Sequence, residues 1–292
     1  MPKNVPKNVP RNVRVQHTLG SMLPIRDANP SHRVPFVTVG LIALNLAAFV
    51  LWQPSFATGE DAQVEQQLFY FCEAAIPWEV ANGTGLARGG PAASSALDDG
   101  FGPGAGEAIR AELGETCPDK SPALSILVAM FLHGGWLHLL GNLLFLWIFG
   151  NNVEDRMGHI PYLAFYLLGG LAAFGLQFVL DTGSVVPTLG ASGAIAAVLG
   201  AYLYLFPGAR VTTLVFFFFI TIVELPAGLV LGLWFVLQFF SGLGELGREV
   251  GGGVAYWAHV GGFAFGLLVA VTVLRGRRGV VHRLPPPRPD PF

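Results

Sequence analysis

The sequence predicts an all-α membrane protein, a bundle of six transmembrane helices with a long outer loop between spans 1 and 2. Three observations predict it. Of 292 residues, 52% are hydrophobic and 12% are charged, against roughly 25% charged in an ordinary soluble domain. The apolar residues gather into stretches close to the ~20 residues that cross a hydrocarbon core. The charges are segregated. Residues 1–33 carry six basic side chains against Asp27, residues 54–122 carry eleven acids against Arg88, Arg110 and Lys120, and residues 274–292 carry five arginines against one acid. Short basic flanks mark the cytoplasmic side. Both termini are therefore expected in the cytoplasm of a multi-pass protein of the bacterial plasma membrane, with an even number of crossings.

Residues 1–33, which open with a repeated Lys-Asn-Val-Pro, read as a disordered basic tail. They contain no apolar run, so no cleavable signal peptide is expected. The membrane domain is expected over 34–275. Span 1 runs from Val34 to Trp52. Residues 54–122 are too rich in Gly, Ala and acids to cross and read as the outer loop. It holds the only two cysteines, Cys72 and Cys117, and outside the cytoplasm a disulfide between them is a plausible pairing. Ala123–Phe131 is a short apolar piece interrupted by Gly134-Gly135. Span 2 follows over 136–152, then the polar turn Asn151–Arg156, span 3 over 160–180 and span 4 over 189–206. Pro207-Gly208 ends that helix.

The segment 211–240 admits one crossing or a crossing and a return. Glu224 and Pro226 divide it, so Val211–Leu225 reads as an inner-face segment and Ala227–Phe240 as span 5. Gly242–Gly253 is a glycine-rich loop. Span 6 covers 256–274, ahead of a Pro/Arg-rich cytoplasmic tail over 276–292. No phosphate-cradling glycine loop, metal-spaced cysteine cluster or basic nucleic-acid patch stands outside the tails.

Polar side chains inside apolar spans cost free energy unless partnered, so each invites a functional explanation. Ser192 opens span 4, His138 and Asn142 lie near the start of span 2, and His259 lies near the start of span 6. With both termini inside, all three helices run inward from the outer surface, which sets these residues at similar depth. A double crossing of 211–240 would instead separate His259 from Ser192 by most of a ~30 Å core. Ser192, Ala196 and Gly200 also form a small-residue face, as do His259, Gly262 and Gly266. Such faces are common packing seams, and Ser192 can be read as part of one.

Three chemistries compete. A metal site is disfavoured, because His133 and His138 are about 140° apart around a helix and lack a third carboxylate or thiolate at that depth. A proton path would usually recruit an Asp or Glu within the spans, and only Glu224, near a break, is available. A serine hydrolase fits best. Ser192 at a helix N-terminus would be the nucleophile, and His259 the general base that later protonates the leaving group. Gly193, Gly262 and Gly266 would let the two helices pack closely. His138 and Asn142, one turn apart, would donate to an oxyanion. Asn142 can also be read as glue between helices. His133 reads as structural.

Gly190-Ala191-Ser192-Gly193, Ala258-His259 with Gly262 and Gly266, and His133-Gly-Gly-Trp with His138 and Asn142 together resemble the rhomboid intramembrane serine proteases over about residues 120–275. Glu154, Arg156 and Gly158 resemble that family's inner turn. The resemblance implies a six-helix bundle with a water-filled cavity opening outward, capped by the glycine-rich loop before span 6. It implies a Ser192–His259 dyad, with Asn142, His138 and the Ser192 amide as oxyanion donors. It further implies cleavage of transmembrane protein substrates within lipid, with no metal or cofactor. Some members place an aromatic residue four positions after the serine, against the histidine. Here that position is Ala196, so another group must hold the imidazole. The long outer loop also departs from several members. A non-catalytic rhomboid-like binder is the rival reading, and the filled chemical positions speak against it.

Overall fold

The computed structural model describes residues 22–276 apart from residue 57, residues 217–219 and residues 246–253. The far ends of both basic tails, the tip of the 211–225 segment and most of the glycine-rich loop expected to cap the site lie outside the described residues. In chain order come β1 (Met22–Asp27), α1 (Phe36–Ala47, prolonged by a π turn Ala48–Trp52), α2 (Glu60–Glu73), α3 (Pro77–Asn82), α4 (Gly90–Phe101) and α5 (Ala105–Thr116). They are followed by α6 (Pro122–Ala129), α7 (Trp136–Phe145, prolonged by a π turn Leu146–Gly150), α8 (Asn151–Met157), α9 (His159–Leu180) and α10 (Ser192–Leu205). The chain closes with β2 (Arg210–Phe216), β3 (Ile220–Pro226), α11 (Ala227–Glu245) and α12 (Tyr256–Val273).

Among the described residues, three helices are long and apolar enough to cross a membrane: His159–Leu180, Ala227–Gly244 and Tyr256–Val273. Phe36–Trp52 and Ser192–Leu205 are shorter and apolar. The short α10 is the hub. Every residue from Gly193 to Tyr202 is buried, so the helix has no polar face because it has no wet face. Around it α9, α11 and α12 turn Leu168, Val179, Leu237, Phe240 and Leu268 outward, the arrangement of a bundle whose solvent is lipid.

The start of α1 is held from a distance. Its first amides have no intrahelical acceptor, and the Glu154 carboxylate accepts from the amides of Val37 (2.9 Å) and Thr38 (2.8 Å) and from the Thr38 hydroxyl (2.6 Å). His159 Nδ1 meets the same carboxylate at 2.6 Å. Burial pushes the Glu154 pKa up, but the bonds from Thr38, His159 and the two amides outweigh it and hold it below the usual carboxylate value. Gly158, with φ +85, makes the turn from α8 to α9 that brings His159 back to this carboxylate.

Three expectations need correction. The outer loop is a folded unit: α2 to α5 surround their own core of Phe71, Trp78, Leu86, Leu97, Ile109 and Leu113. Cys72 and Cys117 form a disulfide across it, a staple suited to a unit too small to bury much apolar surface. Lys120 Nζ is buried in it, bonded to the carbonyls of Phe71 and Ala74 (2.7 Å each) and paired with Glu79 at 2.6 Å. Short helices rich in Gly and acids give weak periodicity, which is why the sequence reads there as loop.

The protein is also not purely α-helical. Val211–Leu225 folds as most of a β-hairpin, and β1, drawn from the supposedly disordered tail, pairs with it antiparallel in the order β1-β2-β3. The β-branched run Val-Thr-Thr-Leu-Val favours strand, but its apolar length imitates a span. Asp27 at the end of β1 accepts hydrogen bonds from Asn152 Nδ2 (2.8 Å) and Tyr202 Oη (2.7 Å). These fasten the sheet to the end of the bundle remote from Ser192.

Candidate active site

Ser192 is the first residue of α10, so its amide is among those left without an intrahelical acceptor. The approach to it is built as an extended strip. Thr188 donates to the Ala75 carbonyl (2.7 Å), Gly190 donates to the Ala129 carbonyl (2.8 Å), and Trp78 donates to the Ser184 carbonyl (2.9 Å). The disulfide-stapled unit thus grips the chain just before the serine. Gly190 has φ +125. A side chain there would strike the His138 imidazole (2.9–3.0 Å) and lie 3.5 Å from Ser192 Oγ, so the glycine lets His138 approach the serine turn. An apolar cleft beside Ser192 is lined by Met130, Ala173, Phe174, Leu189 and Ala258, among others.

His259 lies in the first turn of α12, and its Nε2 is 2.7 Å from Ser192 Oγ. Backbone contact makes that distance possible. A Cβ on Gly262 would run into the Gly193 carbonyl, one on Gly266 into the Ala197 carbonyl, and one on Gly200 into the Phe263 carbonyl. The helices therefore meet through glycines at Gly200, Gly262 and Gly266, and Gly193 faces Ala173 on α9.

His138 and Asn142 share a face of α7. His138 Nδ1 accepts from the Gly134 amide at 3.2 Å, which leaves Nε2 to carry the proton and face Gly190. Asn142 is buried with its Nδ2 unpartnered, an uncommon state for a buried donor and one suited to an acceptor brought by a substrate. His133 is fully buried, its ring 5.1 Å from that of His138. Its main chain is clamped by the Gln53 side chain, 2.9 Å from both its amide and its carbonyl, and by Tyr70 Oη at 2.9 Å. Glu224 sits on the remote hairpin in an exposed pair with Arg210 at 3.4 Å.

Two neighbours of His259 escaped the sequence reading. Gln238 Oε1 lies 2.7 Å from His259 Nδ1, and the Trp234 ring lies 5.8 Å from the imidazole, tilted by 37°. Gln238 is the single amide in the apolar run Ala227–Phe240. The cost of a polar side chain in such a run was the signal that could have found it.

A mostly helical, membrane-capable bundle with a serine hydroxyl and an imidazole paired between two helices defines the class of this protein. A family model described as Rhomboid domain matches residues 121–276, more than half of the chain. The protein belongs to the rhomboid family, whose members are generally intramembrane serine proteases. It is 30% identical over 159 residues to presenilin-associated rhomboid-like protein A, mitochondrial, of Danio rerio, covering 51% of this chain and 37% of that protein. It is 31% identical over 150 residues to rhomboid protein 1, mitochondrial, of Saccharomyces cerevisiae, covering 50% and 40%. It is 29% identical over 158 residues to RHOMBOID-like protein 5 of Arabidopsis thaliana, covering 54% and 46%. The matches span less than half the length of each of these relatives.

These relatives correct the expected location. The Danio rerio and Saccharomyces cerevisiae proteins, and a further match from Mus musculus, are eukaryotic and mitochondrial by name, which conflicts with a bacterial plasma membrane. The physical reason is plain: basic flanks bear on orientation across a membrane and carry no information about which membrane it is.

Proposed function

We propose that this protein is an intramembrane serine endopeptidase that cuts transmembrane segments of other membrane proteins. The observation that carries the reading is the 2.7 Å contact between Ser192 Oγ and His259 Nε2. In this reading Ser192 Oγ attacks the scissile carbonyl carbon while its proton passes to His259 Nε2. The tetrahedral oxyanion is met by Asn142 Nδ2, His138 Nε2 and the Ser192 amide. Donors of this kind contribute about 3–4 kcal/mol each in other enzymes. Collapse breaks the C–N bond, and the proton on His259 goes to the leaving amine. Water then repeats the sequence on the acyl-serine, returning the free serine and a carboxylic acid. No metal or cofactor enters any step.

In the same reading residues 34–275 form the membrane domain with six crossings. Span 2 is made of α7 with its π turn, and the stapled unit within 54–122 caps the end of the bundle that holds Ser192. Substrates must bring backbone out of its own helical hydrogen bonds to reach Ser192, so segments rich in helix-weakening small residues are the preferred partners. The test uses the full chain in liposomes with a reporter transmembrane segment. Ser192→Ala abolishes cleavage at unchanged protein level, and a fluorophosphonate labels the protein only when Ser192 and His259 are both present. Undiminished cutting by Ser192→Ala overturns the assignment, and client binding without labelling or cutting marks a non-catalytic binder.

A further inference from the structure

We propose that Gln238 is the positioning residue for His259, the third member of a Ser192–His259–Gln238 relay in which a neutral amide stands where soluble serine hydrolases place a carboxylate. The inference rests on the reading of Ser192 and His259 as a dyad. Its carrying observation is separate: His259 Nδ1 lies 2.7 Å from Gln238 Oε1, and an amide oxygen can only accept. Nδ1 therefore carries the ring proton, and the Nε2 lone pair is left toward Ser192 Oγ, 2.7 Å away. One hydrogen bond selects both the tautomer and the rotation of the ring that proton abstraction requires.

The packing around the ring agrees. Trp234 and Gln238 are one turn apart on α11, and side chains at that spacing point the same way. Trp234 lies against the imidazole, 5.8 Å between centroids, and 6.1 Å from Phe263, one turn beyond His259 on α12. Phe235 stacks on Phe263 at 4.6 Å, which fixes α11 against α12. The imidazole is thus bonded at Nδ1 by one α11 side chain and flanked by the other. This supplies the support that Ala196, a single methyl group, cannot give. The amide also suits its surroundings, because a carboxylate on an apolar helix such as α11 would carry a desolvation cost that a neutral acceptor avoids.

The test compares three substitutions in the full chain with the reporter segment in liposomes, measuring kcat and KM separately alongside thermal stability. Gln238→Leu keeps the side-chain bulk and removes the acceptor. It is expected to lower kcat roughly 10- to 100-fold at nearly unchanged KM, the effect of one hydrogen bond to a group that becomes charged in the transition state. Gln238→Glu keeps an acceptor oxygen in place and is expected to recover kcat to within a few fold of wild type. Gln238→Asn withdraws the acceptor by one methylene and is expected to behave like Gln238→Leu. Stability should be unchanged by the leucine, since a leucine suits an apolar helix.

Wild-type kcat in Gln238→Leu, with Ser192→Ala inactive, overturns the relay and leaves the dyad standing. Equal losses in Gln238→Leu and Gln238→Glu also overturn it, since the glutamate keeps both the shape and an acceptor oxygen, and an acceptor would then not be what His259 requires. Persistent cleavage by Ser192→Ala overturns the dyad itself and the relay with it.

Discussion

Gly262 lies against the carbonyl of Gly193, so closely that a Cβ on Gly262 would run into it. That contact, repeated by Gly266 against Ala197 and by Gly200 against Phe263, sets how near α12 can come to α10, and hence how near His259 can come to Ser192. Gly262→Ala is expected to push the helices apart by a fraction of a helix radius and to reduce kcat on the order of 100-fold, the cost of displacing a reacting group by about 1 Å. Gly175→Ala on α9, where a Cβ meets nothing within 4 Å, serves as the control and should cut at the wild-type rate. Equal activity in the two variants would sever the link between seam and site.

Asn142 offers a buried Nδ2 with no partner. If its acceptor arrives only with the reacting substrate, Asn142→Ala should lower kcat by about 100- to 1,000-fold with little change in KM, as loss of one oxyanion donor does elsewhere. A rise in KM at constant kcat would instead assign Asn142 to ground-state binding.

The Cys72–Cys117 bridge closes a loop with a sequence separation of 45. The chain-entropy relation puts its contribution at about 4 kcal/mol to the unit that contains it. Replacing both cysteines with serine is expected to raise amide exchange across α2 to α5. The effect should spread to Thr188, whose amide donates to the Ala75 carbonyl. Exchange confined to α2–α5 would show that the unit does not steady the strip before Ser192.

Asp27 sets a pH dependence. Burial raises its pKa from 3.8 to about 6, against the opposing bond from Tyr202. The folded protein therefore holds this proton more tightly than the unfolded chain. The resulting stability is fully present below about pH 4 and is lost as pH rises through about 6, an effect on the order of 3 kcal/mol. Asp27→Asn should flatten this part of the pH profile of the melting temperature. A wild-type melting temperature that climbs steadily from pH 4 to 6 in step with the asparagine variant would refute the assignment to Asp27.

The apolar helices, the central place of the Ser192 helix and the approach of His259 to Ser192 were legible because each rests on a local signal. A run of apolar residues has one cheap environment, and a polar side chain inside such a run needs a reason. The glycine seam was legible too, since small residues four apart on one helix face let another backbone approach closely. The hairpin over Val211–Leu225 was not. Its apolar length fits a partial span as well as a strand, and the choice depended on β1, nearly two hundred residues earlier, arriving to pair with β2. The folded unit within 54–122 was hidden for a related reason. Its helices are short and weakly periodic, and their stability comes from meeting one another around Trp78 and Leu97 and from the disulfide.

By itself, then, the sequence determined the membrane-capable helices, the rhomboid resemblance and which helices carry the polar side chains. Tertiary structure alone decided what holds His259. Gln238 and Trp234 are 21 and 25 residues away along the chain, and nothing local to α11 says which way they point. Packing Phe235 on Phe263 turns that face of α11 toward the imidazole, and a hydrogen bond between side chains exists only once two helices have chosen their mutual rotation.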